Sequence, residues 1–224
     1  MIRWEHLDTA TVPGDGGELK LMRRGTEYSI MAGSIELMNS RVSGSEKALA
    51  TLTCERLKDR PAPHILIGGY GMGFTLRAAL EALGPKAKVT VAELVPAVVA
   101  WARGPMAHLS GASLDDPRLI IREGDVGAVI AEAERTYDAI LLDVDNGPAG
   151  LSRAGNDRLY GPSGLGAAIR ALKPGGVLAV WSAVQDTAFT RRLRNVGFKV
   201  EELTVRASGG RRGVRHVIWM ATRA

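Results

Sequence analysis

The stretch Ile67-Gly68-Gly69-Tyr70-Gly71-Met72-Gly73 follows the apolar run His64-Ile65-Leu66-Ile67 and opens the helical run Phe74-Thr75-Leu76-Arg77-Ala78-Ala79-Leu80. Glycines at such a junction let the backbone pass close to a ligand at a helix N-terminus, where N–H groups lack intrahelical partners. A glycine pattern alone is weak. Glu93 strengthens it, because it ends the next apolar run, Lys88 to Glu93, at the distance where an acid accepts both hydroxyls of a ribose. A tight turn plus an unrelated surface acid is the simpler reading, and the joint spacing argues against it.

Outward from this stretch the chain alternates short apolar strands with helical segments. Phe74 to Leu83 is closed by Gly84-Pro85, and Pro96 opens the next helix. Arg118 to Asp125, Asp138 to Val144 and Val177 to Ala183 read as further strands, with a short helix near 128–134, a longer one over 165–173 and a Lys-Pro-Gly-Gly turn at 173–176. Strands that are apolar on both faces imply a parallel sheet covered by helices on both sides. Two more acids end strands: Asp125, followed by Val126, and Asp143. In an open α/β sheet the ligand crevice lies beyond the carboxyl ends of the strands, so these markers converge on one crevice.

The C-terminal rhythm differs. After a helix near 189–196, residues 199–207 and 216–223 are joined by a short Gly-Gly-Arg-Arg-Gly link and pair as an antiparallel hairpin. A parallel sheet closed by an antiparallel last strand resembles the class I S-adenosylmethionine-dependent methyltransferases more than a dinucleotide-binding fold. The expected fold class is therefore α/β, a Rossmann-like seven-stranded methyltransferase sheet with an antiparallel last strand. A small N-terminal β cap precedes it, with strands in 18–24, 26–32 and 34–38. The expected division is 1–60, cap and linking helix, and 61–224, catalytic domain.

The 224 residues, 46% hydrophobic and 24% charged, suit a chain built around one dominant core and exclude a disordered or fibrous one. The single cysteine, Cys54, cannot close an internal disulfide, and no Cys/His set has zinc spacing, so no metal is expected and a reducing compartment is. No apolar run reaches the roughly 18 residues that cross a bilayer, and residues 1–17 have no basic-then-apolar leader pattern, so the expectation is a cytoplasmic protein with no membrane partner. The net charge of +5 draws on Arg191, Arg192, Arg194, Arg206, Arg211, Arg212 and Arg215. Acids interleave with them and no aromatic stacking set accompanies them, so they read as a solvated face rather than a nucleic-acid site.

The motifs ILIGGYGMG, VTVAELVPAVVAWAR, REGDV, YDAILLDVDNGPAG, LYGPSGL and ALKPGGVLAVWS, in this order, resemble the spermidine synthase-like group within the class I methyltransferase fold. The resemblance covers residues 63 to about 183 well and the cap loosely. It implies that Gly69, Gly71 and Gly73 line the methionine end of the donor, Glu93 holds its ribose, Asp125 with Val126 meets the adenine, and Asp143 faces the reacting centre. It also implies a small-molecule acceptor and a homodimer formed through the cap.

Three departures accompany the matches. The family has an acid inside the glycine loop where this chain has Gly71. It has an Asp-x-x-Asp pair whose second member matches Asn146 here. Its Tyr-His-Glu or Tyr-Gln-Glu stretch appears as Gly44-Ser45-Glu46. These losses make methyl transfer from S-adenosylmethionine to a small amine or other nucleophile the leading expectation. Aminopropyl transfer from decarboxylated S-adenosylmethionine is the alternative, followed by a non-catalytic adenosyl-binding protein and, last, an NAD-dependent oxidoreductase.

Transfer from a sulfonium mainly needs donor and acceptor aligned, with one proton removed. Asp143 reads as a reacting-centre acid or as a ligand of the donor's amino group. Asp145 reads equally as a base and as a turn acid, and Asn146 as an acceptor-holding amide or a turn residue. Tyr160 is a rim residue of the acceptor pocket or a packing tyrosine. Trp181 and Ser182 end a strand at the same crevice. For Met38, Asn39, Ser40, Arg41 and Glu46, turn and capping chemistry is favoured over closure on the acceptor. The histidines at 6, 64, 108 and 216 read as satisfied or exposed.

Overall fold

The computed structural model describes residues 2–14, 17–144, 147–148, 158–208 and 213–224. Near the N-terminus, β1 (Glu5–Thr11), β2 (Glu18–Arg24), β3 (Glu27–Ala32) and β4 (Ile35–Asn39) form an antiparallel meander in chain order. Leu19 and Leu21 of β2 are buried between exposed Glu18 and Lys20, the alternation expected of a strand with one covered face. The strand β1 is one more than the sequence reading anticipated. Its residues, EHLDTAT, are mostly exposed, so this edge strand carries no apolar alternation.

Helix α1 (Gly44–Arg56) leads into β5 (His64–Gly68), α2 (Phe74–Ala82), β6 (Lys88–Glu93), α3 (Pro96–Arg103) and the short α4 (Ala107–Ser110). A 3-10 turn (Ser113–Asp115), β7 (Leu119–Glu123), α5 (Val126–Ala131) and β8 (Tyr137–Leu142) follow. The chain ends with α6 (Pro162–Ala171), β9 (Leu172–Ser182), α7 (Thr187–Val196), β10 (Phe198–Arg206) and β11 (Arg215–Arg223). The seven strands of the main sheet lie in the order β10-β11-β9-β8-β5-β6-β7. Only β11 runs against its neighbours, antiparallel to both β9 and β10, as the terminal hairpin led one to expect.

Alternate residues of the central strands feed two cores. Ile65, Ile67, Ala139 and Leu141 join the cap, α1, α2 and α3, whereas Leu66, Ile140 and Leu142 join α5, α6 and α7. This period of two, apolar on both faces, is what makes β5 and β8 central. Helix α1 packs on α2 and on the β8, β9 and β10 side of the sheet.

The Lys-Pro-Gly-Gly segment is a bulge inside β9 rather than the turn before it. Tyr137 pairs with Leu172 and Ala139 with Val177, so residues 173–176 are set against Asp138 alone. Asp138 is buried and accepts from the His64 N–H at 2.8 Å and from Lys173 Nζ at 2.7 Å, while Arg60 donates to the Pro174 carbonyl at 2.6 Å. These bonds give the bulge its polar partners.

Cys54 is buried, and loss of solvent pushes its thiol up to about 11, which leaves it uncharged and unreactive at neutral pH. Among the described residues no helix is long and apolar enough to cross a membrane.

Candidate functional site

The chain runs from β5 outward to β6 and β7, then returns to the other side of β5 as β8. Loops leaving β5 and β8 therefore diverge, and the gap between them is where open α/β sheets place a ligand. The two loops touch: the Asp143 N–H donates to the Gly68 carbonyl at 3.2 Å. Gly69 has φ +85°, and a Cβ there would lie 2.7 Å from the Asp143 carbonyl oxygen. No side chain fits without moving backbone. Gly69→Ala is expected to destabilise the fold by roughly 1–2 kcal/mol through this clash and the positive φ, read as a lower urea midpoint.

Above the gap lies a cavity of about 320 Å³. Its floor holds Gly69, Gly71, Glu93, Asp125, Val126 and Asp143. Its roof is the β cap, through Val12, Leu19, Ile30, Leu37 and Met38, with Glu18 beside them. Apart from Met38, which the sequence offers as a residue that could close over the acceptor, this roof has no signature in the sequence. It is a long-range contact of residues that, read locally, only mark the buried face of a sheet.

Glu93 ends β6 and is 7% exposed. One carboxylate oxygen accepts from the Tyr70 N–H and the other from the Val95 N–H, both at 2.8 Å. Burial pushes its pKa above the usual carboxylate range, while the N–H groups of Val95 and Tyr70 pull the other way. It thus ties the glycine loop to the end of β6 while lining the cavity. Asp125 caps α5, accepting from the Gly127 N–H at 2.8 Å.

Asp143 follows β8 and accepts from the Thr75 hydroxyl at 2.6 Å. Burial and the negative charge of Glu46 raise its pKa to about 7. Glu46, in the first turn of α1, is itself raised by burial. Its Oε2 accepts from the Ser45 hydroxyl at 2.8 Å, and Ser45 Oγ lies 2.9 Å from His216 Nδ1. A serine has one hydroxyl proton, so with Glu46 ionised Ser45 donates to it and accepts from His216 Nδ1–H. Burial holds His216 below its usual pKa, in the neutral form, and its ring meets Trp181 edge to face. The sequence reading left this chain of groups unconnected.

Other sequence candidates sit elsewhere. Gly73 (φ +73°) is the N-cap of α2, and a Cβ there would meet the Tyr70 hydroxyl at 2.8 Å. Tyr160 is buried edge-on to Phe189, outside the cavity lining. Trp181 and Ser182 are buried at the end of β9 and are likewise outside the lining. Ser40 accepts from the Tyr28 N–H, Asn39 from the Arg41 N–H, and Arg41 pairs with Glu36. That is turn chemistry, and of residues 38–41 only Met38 reaches the cavity. Asp145 and Asn146 lie outside the described residues. Among the described residues no group of His, Cys, Asp and Glu could hold a metal ion.

Comparison with known proteins matches the spermine/spermidine synthase domain to residues 46–193. A polyamine aminopropyltransferase of Streptomyces coelicolor is 36% identical over 124 residues, which are 54% of this chain and 22% of that protein. One from Korarchaeum cryptofilum is 30% identical over 124 residues, 55% of this chain and 36% of that protein. The chain thus spans between about a fifth and about a third of these relatives. The spermidine synthase of Thermotoga maritima superposes with a TM-score of 0.76 at 19% identity, covering 98% of this chain and 73% of that one.

These relatives overturn the expectation of methyl transfer, since they are named for aminopropyl transfer. The error has a physical origin. Both reactions displace a thioether from an adenosyl sulfonium, so the residues holding the adenosyl group do not tell them apart, and the departures at Gly71 and Asn146 do not by themselves change the reaction. With the matched segment reaching from Glu46 through the glycine loop, Glu93, Asp125 and Asp143, the chain belongs to the spermine/spermidine synthase domain family.

Proposed function

We propose that the protein transfers the 3-aminopropyl group of decarboxylated S-adenosylmethionine to a small amine. The observation that carries this reading is that Gly69, Gly71, Glu93, Asp125, Val126 and Asp143, all within the family segment, line one cavity under an apolar roof. Glu93 would receive the ribose hydroxyls, and Asp125 with Val126 the adenine. The apolar roof would exclude water from the sulfonium. The acceptor nitrogen's lone pair forms the new C–N bond as the C–S bond breaks. Its electrons return to sulfur, 5′-methylthioadenosine leaves, and the amine gives up one proton. Alignment does most of the work, because the sulfonium is already a good leaving group.

The test is incubation with decarboxylated S-adenosylmethionine and putrescine, or a longer polyamine, followed by mass spectrometry. Release of 5′-methylthioadenosine together with an acceptor heavier by one aminopropyl group is expected. Absence of both with every amine tried would overturn the reading.

The cap sheet supports a second expectation, a homodimer. Its strands β1 and β4 are edges, and Ile35 on β4 is 52% exposed. Light scattering is expected to give twice the chain mass, and the mass of a single chain would refute it.

A further inference from the structure

Met38 reaches the cavity through a break in the strand pattern. Ala32 pairs with Ile35 and Met31 with Glu36, but Ile30 pairs with Met38, so Leu37 is an extra residue in β4. Side chains along a regular strand alternate between its faces, and a bulge of this kind lets two successive ones share a face. Leu37 and Met38 accordingly both line the cavity. The end of Met38 rests on the glycine loop. A Cβ on Gly71 would lie 2.9 Å from its Sδ and 3.0 Å from its Cε.

The charges around this cavity have one sign. Glu18, Glu93, Asp125 and Asp143 line it, and among the described residues no Lys, Arg or His does. The glycine loop offers an anion little, because its N–H groups are engaged. That of Gly69 donates to the Ala92 carbonyl, that of Tyr70 to Glu93 and that of Gly73 to the Tyr70 carbonyl, each at 2.8 Å. A thioether donates no hydrogen bond. A carboxylate pressed between Met38 and this loop would therefore give up its water and gain no partner, which is costly.

We propose that Met38 is a specificity-determining residue, which closes the Gly71 end of the cavity to a carboxylate and so sets decarboxylated S-adenosylmethionine apart from S-adenosylmethionine. This rests on the aminopropyl reading above, in which Asp125 and Glu93 hold the adenosine. The chain carried by the sulfur then extends toward the ends of β5 and β8, where Gly69, Gly71 and Met38 line the cavity. The two sulfonium compounds differ by one carboxylate, the group for which this end of the cavity provides neither a cation nor a free N–H among the bonds just described.

Calorimetric titration with these two compounds tests the proposal. Wild-type protein is expected to bind the decarboxylated one on the order of 10²-fold more tightly, the cost of burying an unpaired charge. Met38→Ala is expected to narrow that ratio at least about tenfold, mainly through tighter binding of S-adenosylmethionine, whose carboxylate can then keep water. Met38→Gln keeps the side-chain length and adds an N–H donor, so it is expected to narrow the ratio in the same direction even if the alanine variant fails to fold. If wild-type protein binds neither compound, or prefers S-adenosylmethionine, the aminopropyl reading falls and the proposal with it. If wild-type protein binds the two equally, or if its preference for the decarboxylated compound survives unchanged in the folded variants, the role of Met38 is refuted and the reading stands.

Discussion

Glu93→Ala is expected to weaken 5′-methylthioadenosine binding on the order of 10²-fold. A carboxylate that accepts two ribose hydroxyls makes two charge-assisted hydrogen bonds, each worth about 1.5 kcal/mol or more, and ~3 kcal/mol is a factor of about 10². The structure adds a second consequence. The Tyr70 and Val95 N–H groups that now donate to Glu93 would lose their acceptor in a buried position, at a cost of about 1–3 kcal/mol to the fold. Glu93→Gln, which keeps one acceptor oxygen, is expected to recover part of the stability and little of the affinity. Calorimetry on the folded variants measures the first effect and urea denaturation the second. Wild-type affinity in folded Glu93→Ala would remove Glu93 from the site.

Glu93 also shows what local sequence carries. The strand-to-helix junction, the acid ending the next strand and the terminal hairpin are each set by a handful of adjacent residues, through apolar runs, positive-φ glycines and short links. Such features are readable one at a time, and the α/β sheet with its antiparallel β11 follows from them. The strand β1 was not readable, because an edge strand exposed along most of its length has no burial to impose a pattern. The bulge in β9 looked like a turn because Pro174 and Gly175 suit both, and only Asp138 across the sheet decides between them.

The site divides in the same way. Gly69, Gly71, Glu93 and Asp125 stand at or just past strand ends, where spacing puts them, and they line the cavity. The apolar roof depends on how the cap lies over the sheet. The connection from His216 to Ser45 joins residues 171 positions apart. His216 is the satisfied histidine the sequence suggests, but which group satisfies it depends on what its ring nitrogens meet. Tyr160 reads from its loop position as either a pocket rim or a packing tyrosine, and its ring packs in the apolar cluster with Phe189.

Asp143→Asn is expected to separate stability from function. In the folded protein this carboxyl is raised from its ordinary 3.8 to about 7 by burial and by Glu46, so the native state holds its proton more tightly than the unfolded chain. Its contribution to stability is therefore full below about pH 3.8 and is lost as pH rises through about 7. Asparagine can still accept from Thr75 and carries no charge to bury. The variant should be more stable than wild type at pH 8.5, by 1 kcal/mol or more under a ceiling of roughly 4 kcal/mol set by ~1.4 kcal/mol per pK unit. The two should converge near pH 4. Donor binding should move the opposite way. Wild-type affinity for decarboxylated S-adenosylmethionine should rise as pH passes 7 and Asp143 ionises, whereas the variant should lack that rise and bind at least about tenfold more weakly at pH 8.5. Natural sites commonly give up stability in this manner to keep a charge where a substrate needs it. Thermal melts and calorimetry across pH 5 to 9 would read both curves. A variant less stable than wild type at pH 8.5, with donor affinity unchanged, would show Asp143 to be a structural acid.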